Sequence, residues 1–301
     1  MAEPTTVLGD TTPRYRQRRP LPLTLSPLGS RKRSLTTEAG SKGHSPPLTR
    51  RPQRSSFFEP AGDEFQRLVS SKLSGDSQVE APNGSIDFQA RKPDCPLAKF
   101  CVISTRAEAQ DVSRLLQLWI PEKPLVMLSI TGGAQTLDLD MRLEEVLLTG
   151  LAKAASSAKA WLIDGGTDSG VMYLAGQAFK NLPGGQTPLI GIVPYRKITH
   201  HEAFKAPAGS GPISYVKRVA NSTASTAIDP LHTHFLLVDA SIEGKAPSFG
   251  EEIEMRSKVE DQLRKDLQTA ALLLVVGGGP GTYKTVWTQV RFARTHGRTH
   301  A

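Results

Sequence analysis

The sequence predicts an α/β protein built on a doubly wound parallel sheet, preceded by a long basic tail. Three observations predict it. After Asp94 short aliphatic runs alternate with stretches of helical periodicity to the end of the chain. Three of those runs break directly into glycine-rich turns, and turns suited to β-hairpins are few, so the strands have to be joined by helical crossovers.

The first part of the chain has a different character. Residues 1–54 hold eleven Lys or Arg, three acids and eight prolines, so their net charge of +8 equals that of the whole chain and leaves 26 basic and 26 acidic residues beyond them. The high isoelectric point thus describes a tail. Few aromatics and much Pro, Ser and Arg cannot bury enough apolar surface to offset chain entropy, and residues 1–92 are expected to be disordered. Two clusters, Arg14–Arg19 and Arg31–Ser34, suit acidic lipid headgroups, nucleic acid or an import receptor; a solvated tail that accepts phosphorylation is the simpler reading. Anionic lipid is the contact retained for it, and no specific nucleic-acid partner is expected.

Residues 93–294 carry the alternating pattern, and 295–301 form an irregular end, of the kind a truncated sequence leaves. Leu125–Ile130 reads as a buried strand running into Thr131-Gly132-Gly133. A helix follows over 141–158, with Leu143, Val146, Leu147, Gly150, Leu151, Ala154 and Ala155 at the spacing of one buried face. Ala160–Ile163 is the next strand and exits into Asp164-Gly165-Gly166-Thr167, and a helix is expected from about Ser169 to Lys180. Asp168 is placed to cap it. Leu189–Val193 and His234–Val238 are further strands, separated by a loop from Pro194 to Leu231 whose length marks a binding, lid or disordered segment. Met255, Val259, Leu263 and Leu267 recur at i, i+4 steps inside an amphipathic helix over 250–268. The final strand, 270–276, is the longest apolar run of the chain and breaks into Gly277-Gly278-Gly279-Pro280-Gly281-Thr282 before a helix that contains Val286 and Trp287.

A strand that ends in glycines lets backbone N–H groups approach an anion closely, and a following helix adds its positive N-terminal end. Three such exits predict a ligand along the carboxyl edge of one sheet, where open α/β sheets bind theirs. Other chemistries find little support. Cys95 and Cys101 have no metal-ligand spacing and point to a reducing compartment. His232 and His234 alternate on a strand start without a carboxylate or cysteine positioned to complete a metal site, and structural use is expected. No run is long enough to cross a bilayer as a helix.

Five motifs in one order carry a resemblance. Thr131-Gly-Gly-Ala-Gln135, Asp164-Gly-Gly-Thr-Asp-Ser-Gly-Val-Met172, His232-Thr-His-Phe-Leu-Leu-Val-Asp239, Glu252-Ile-Glu-Met-Arg256 and Gly278-Gly-Pro-Gly-Thr282 resemble the cytosolic N-terminal homology region of melastatin-type transient receptor potential (TRPM) channels over about 97–290. That resemblance implies a Rossmann-like SLOG (LSDAT) domain, related to lysine-decarboxylase-like and "lonely guy" proteins, which senses nucleotide-derived ligands such as ADP-ribose and regulates a cation channel. It implies no resident cofactor and no catalytic residue.

Carried over by position, Thr131, Gly132, Gly133 and Gln135 line the adenosine-diphosphate side, with Gly165 and Gly166 beside them. Gly278, Gly279, Gly281 and Thr282 cradle phosphate, Arg256, with Lys258 nearby, supplies the pairing charge, and Tyr195 stacks on a base. The basic pair of the family's next turn is His200-His201 here. Channel-type subunits, including further copies of this chain, are the implied protein partners, and the implied setting is cytoplasmic, at the membrane if part of a channel.

Two alternatives stand beside the sensor. One is a nucleoside-monophosphate phosphoribohydrolase, as in related enzymes whose Pro-Gly-Gly-x-Gly-Thr loop is followed closely by a glutamate; after Gly277–Thr282 this chain reads Tyr283-Lys284-Thr285, without one. The other is a subunit-interaction module that binds no ligand.

Overall fold

The structure, a computed structural model, describes residues 62–76, 78–91, 95–134, 139–180, 187–205, 209–216, 225–241 and 245–296. Most of the predicted tail, including both basic clusters, lies outside the described residues, as do Gln135 and residues 297–301.

The elements run α1 (Gly62–Ser71), β1 (Asn83–Phe88), β2 (Ala98–Ser104), α2 (Ala109–Trp119), β3 (Val126–Gly132), α3 (Met141–Ser157), β4 (Trp161–Asp164), α4 (Gly170–Phe179), β5 (Leu189–Pro194), β6 (Ile213–Tyr215), β7 (His234–Asp239), α5 (Ile253–Leu267), β8 (Ala270–Val276) and α6 (Pro280–His296). One sheet takes all eight strands in the order β6-β1-β2-β7-β5-β4-β3-β8. Every neighbouring pair is parallel except β1 with β2. The predicted class therefore holds, with one antiparallel pair that the sequence did not announce.

That pair corrects the boundary of the expected tail. Residues before 92 supply both α1 and β1. Ile86 and Phe88 are buried, and so are Leu68, Val69 and Leu73 after the acidic first turn of α1. Asn83-Gly-Ser-Ile-Asp-Phe88 has the alternation of a half-buried strand but few residues that favour one. Pairing with β2, Asn83 opposite Cys101 and Ile86 opposite Ala98, overrides that weak propensity.

Alternation along the strands separates two cores. Cys101 and Ile103 of β2, Met127 of β3, Trp161 and Ile163 of β4 and Leu236 of β7 face a cluster completed by α1, α2 and α5. On the other face Ile130 and Leu162 meet Leu151 and Ala155 of α3 and Val171 and Ala175 of α4. Beyond them, Phe88, Phe100, Phe235 and Tyr215 form an aromatic cluster. The long connection after β5 closes that cluster: Tyr195–Lys197 and His201–Lys205 form short 3₁₀ helices that bury Tyr195 and Phe204, while 206–208 and 217–224 lie outside the described residues.

The predicted face of α3 is only half covered. Leu151 and Ala155 are buried, whereas Leu143 and Val146 are exposed, Val146 at 61 %. A groove of about 540 Å³ between α3 and α4, lined by Glu144, Leu148, Thr149, Ala152, Gln177 and Ala178, places α4 beside the flank that holds Glu145 and Ala152. Leu143 and Val146 do not line that groove.

Candidate functional site: the carboxyl rim of β4, β3 and β8

Because β4, β3 and β8 are parallel, their three glycine exits emerge on one rim. They are also tied to one another. The Gly133 amide donates to the Val276 carbonyl of β8 (3.2 Å), and the Gly133 carbonyl accepts from Val171 in the first turn of α4 (3.0 Å). Thr282 Oγ1, in the first turn of α6, donates to the Gly132 carbonyl (2.9 Å). Gly170 opens α4 at φ +53°, and a Cβ there would stand 1.9 Å from the Gly133 oxygen, so only glycine allows this approach.

The bends differ in what they leave open. At β3, Thr131 is buried and the Gly133 amide is committed to β8. At β4, the Gly166 amide donates to the Asp164 carboxylate (2.6 Å) and its carbonyl accepts from Asp229 (2.9 Å); the Gly165 amide makes no hydrogen bond among the described residues. After β8, the amides of Gly278 and Gly279 make none either, and those of Gly281 and Thr282 stand in the first turn of α6 without an intrahelical acceptor. Gly278 adopts φ +132°, where its Cα packs against the Thr282 side chain. Of the groups assigned to the cradle, four amides after β8 stay open among the described residues, while the Thr282 hydroxyl is committed to Gly132.

Two assigned side chains are placed elsewhere. Arg256 is 5 % exposed and its guanidinium serves the protein: Nε donates to Glu260 (2.7 Å), and Nη2 donates to Ser129 Oγ (2.8 Å) and to the carbonyls of Ile130 (2.9 Å) and Ile163 (3.0 Å). Burial pushes the Glu260 carboxyl up, and Arg256 opposes that. Gln289 of α6 donates to both Ser129 and Glu260. The network fastens α5 and α6 to the ends of β3 and β4, so Arg256 acts on the rim through its backbone. Lys258 instead pairs with Glu254 on the exposed side of α5 (3.0 Å).

Tyr195 corrects the second expectation. Its ring lies in the aromatic cluster and its hydroxyl donates to the His201 carbonyl (2.9 Å), which closes the ring to a base. Burial foremost pushes that hydroxyl up to about 12. His201 pairs with Glu202 (3.0 Å). Nor does Asp168 cap α4: Ser169 holds that position, and its hydroxyl meets Thr167 Oγ1 (3.1 Å).

The rim also contains a charged cluster that sequence reasoning left as isolated residues. His232 is fully buried between two carboxylates, Nε2 at 2.8 Å from Asp164 and Nδ1 at 2.7 Å from Asp229. Burial alone pushes the imidazole down, but Asp164 and then Asp229 outweigh it and raise it to about 10. Burial pushes the Asp229 carboxyl up, with His232 opposing. Asp164 carries both the ring and the Gly166 amide on Oδ1, so His232 reaches the glycine bend through one atom. The Asp164-Gly165-Gly166 and Asp229-x-x-His232 spacings were visible, but their meeting across 68 positions was not. His234, the other histidine, is kept neutral: burial first, then Lys99 and Arg91, lower it to about 3, and it stacks on Trp119. Among the described residues no His, Cys, Asp or Glu group is arranged to hold a metal ion.

A parallel sheet with glycine bends and helix N-termini on one rim defines a Rossmann-like α/β domain. The chain belongs to the family described as SLOG in TRPM, whose model matches residues 98–295. It is 33 % identical over 196 residues to the transient receptor potential cation channel subfamily M member-like 2 of Nematostella vectensis, covering 60 % of this chain and 12 % of that protein. It is 30 % identical over 202 residues to subfamily M member 2 of Rattus norvegicus, covering 60 % and 13 %. To subfamily M member 7 of Homo sapiens it is 27 % identical over 240 residues, covering 75 % and 12 %. The chain therefore spans about an eighth of the length of these relatives, as a TRPM channel-associated domain. No helix among the described residues is long and apolar enough to cross a membrane.

Proposed function

We propose that the protein is a sensor domain that binds a nucleotide-derived anion, of the ADP-ribose kind, at the carboxyl rim and passes its occupancy to a channel-type subunit. The amides of Gly278, Gly279, Gly281 and Thr282 carry this reading: four donors at the start of α6 without acceptors among the described residues, where the helix dipole adds to them. Thr131, Gly132, Gly133 and Gly165 form the neighbouring wall. Arg256 supports the wall from beneath. With Lys284 two residues after Thr282 and no carboxylate close by in sequence, the loop is suited to holding phosphate rather than to cleaving a glycosidic bond.

Titration calorimetry of the full chain with ADP-ribose, NAD and nucleoside monophosphates tests it. Binding is expected for at least one, and Gly279→Asp, which puts a negative charge into an open position of the cradle, is expected to abolish it without loss of fold. Heat from none of them overturns the sensor reading, and release of free base from a monophosphate would replace it with the hydrolase.

A further inference from the structure

Tyr195 and Arg256, the ring and the cation assigned to the rim by motif position, are both engaged inside the protein. The turn before α5 supplies a ring and a cation in their place. Arg256, in the first turn of α5, reaches the carbonyls of Ile130 (2.9 Å) and Ile163 (3.0 Å), which sets that turn beside the exits of β3 and β4. Three lysines close on its residues 249–252. Lys197, just after β5, holds its Nζ over the Phe249 ring, 4.7 Å from the ring centre. Lys245 Nζ pairs with Glu251 (3.3 Å). Lys284, in the second turn of α6, donates to the Gly250 carbonyl (2.6 Å).

The positions of Lys284 and Phe249 suit the two ends of a nucleotide. Side chains on a helix lean toward its N-terminus, so the Lys284 stem runs back toward the amides of Gly281 and Thr282, which lie within about 4.5 Å of helical rise. Its ammonium has three donors, of which the Gly250 carbonyl takes one. Burial pushes the Glu252 carboxyl up, and Arg256 and Lys284 oppose that. Glu252 accepts from the Gly250 amide (2.9 Å), so the acid is folded back on its own turn. The Lys284 charge therefore stands at the seam between this turn and the open amides. Phe249 is 51 % exposed. Lys197 sits over one face of its ring, held by the ring's quadrupole, and the other face suits a flat partner such as a purine. The ring is one residue from the carbonyl that holds Lys284, so a base site and a phosphate site follow one another as they do in a nucleotide.

We propose that Phe249 and Lys284 complete the ligand site: the Phe249 ring stacks on the base, and Lys284 pairs with the phosphates held by the amides after β8. The inference rests on the sensor reading of those amides. It adds to that reading what the ligand has to carry, an aromatic base joined through its sugar to a phosphate rather than a sugar phosphate alone.

Titration calorimetry of the full chain with ADP-ribose, AMP and inorganic pyrophosphate tests it. Phe249→Ala is expected to weaken the nucleotides about 10- to 100-fold and to spare pyrophosphate, which has no base to stack. Lys284→Met is expected to weaken all three about 10-fold and to flatten the salt dependence of binding. Phe249→Tyr and Lys284→Arg, which keep a ring and a charge, are expected to restore most of each loss, and matching melting curves confirm the fold of all four variants. Wild-type protein that binds none of the three overturns the sensor reading and this inference together. ADP-ribose binding that survives Phe249→Ala or Lys284→Met to within about 2-fold overturns this inference alone. So does a loss in Phe249→Ala that falls equally on pyrophosphate, because that marks a structural role for the ring.

Discussion

Replacing His232 by asparagine is the sharpest test of what holds the rim together. The ring is fully buried, and each nitrogen meets a carboxylate at 2.7–2.8 Å. Asparagine carries both its N–H donors on a single nitrogen, with an acceptor oxygen on the other side and no charge, so it cannot face both carboxylates and at least one of Asp164 and Asp229, themselves buried, loses its partner. Breaking a buried ion pair from one side costs about 3–5 kcal/mol. The titration of the ring gives a consistent figure: raising it from 6.5 to about 10 amounts, at about 1.4 kcal/mol per tenfold in proton affinity, to on the order of 5 kcal/mol as an upper bound. The two figures describe the same interaction and do not add. Because the folded state holds its proton more tightly than the unfolded chain, this stabilisation is complete below about pH 6.5 and fades as the pH rises through about 10. Urea denaturation of both proteins at a series of pH values measures it. The gap between wild type and His232→Asn should be about 3–5 kcal/mol near pH 6.5 and should narrow steadily toward pH 10. A gap below about 1 kcal/mol, or one that stays constant across that window, refutes the doubly paired imidazolium.

Three further outcomes follow from the geometry. Gly176→Ala would ordinarily stabilise a helix by about 1 kcal/mol, but the new Cβ would stand 2.2 Å from Asp229 Oδ2; thermal denaturation should show a loss of roughly 1–3 kcal/mol instead. Asp140→Ala removes the N-cap bond to the Leu143 amide (2.8 Å), and chemical denaturation should register about 1 kcal/mol. Burial pushes the Cys101 thiol well above its ordinary range, whereas Cys95 is half-buried. A thiol reagent followed by mass spectrometry should therefore label Cys95 in the folded protein and Cys101 only on unfolding.

The sequence was most legible where the chain is buried on both sides. β4, β5 and β7 are runs of aliphatic residues, and their positions, with that of α4 between β4 and β5, follow from that pattern. α1, β1, β2, α2 and β6 were not assigned, β2 despite being buried on both faces; β1 was missed because its polar residues favour no strand, and it exists because β2 offers a ladder. The extent of cover over α3 was misjudged for a related reason: periodicity reports which face is apolar, and tertiary placement decides whether anything lies on it. At the rim, glycine spacing located all three bends. Which amides stay open depends on bonds between distant segments, such as Gly133 with Val276 and Thr282 with Gly132, and no local pattern encodes those. Arg256 and Tyr195 were assigned by position in a motif, while their orientation is set by Glu260 and by the aromatic cluster.

The bonds that join the exits of β3 and β8 to the start of α4 have a mechanical consequence. Gly132 and Gly133 are latched to β8, to α6 and to α4 at once, so a guest that presses on one of these parts finds the others already in gear with it. The rim then yields as a single plate rather than as separate fingers. On the sensor reading proposed above, a signal leaves the rim as a tilt of that plate against its surroundings, and stiffness at the contact point carries so small a displacement onward.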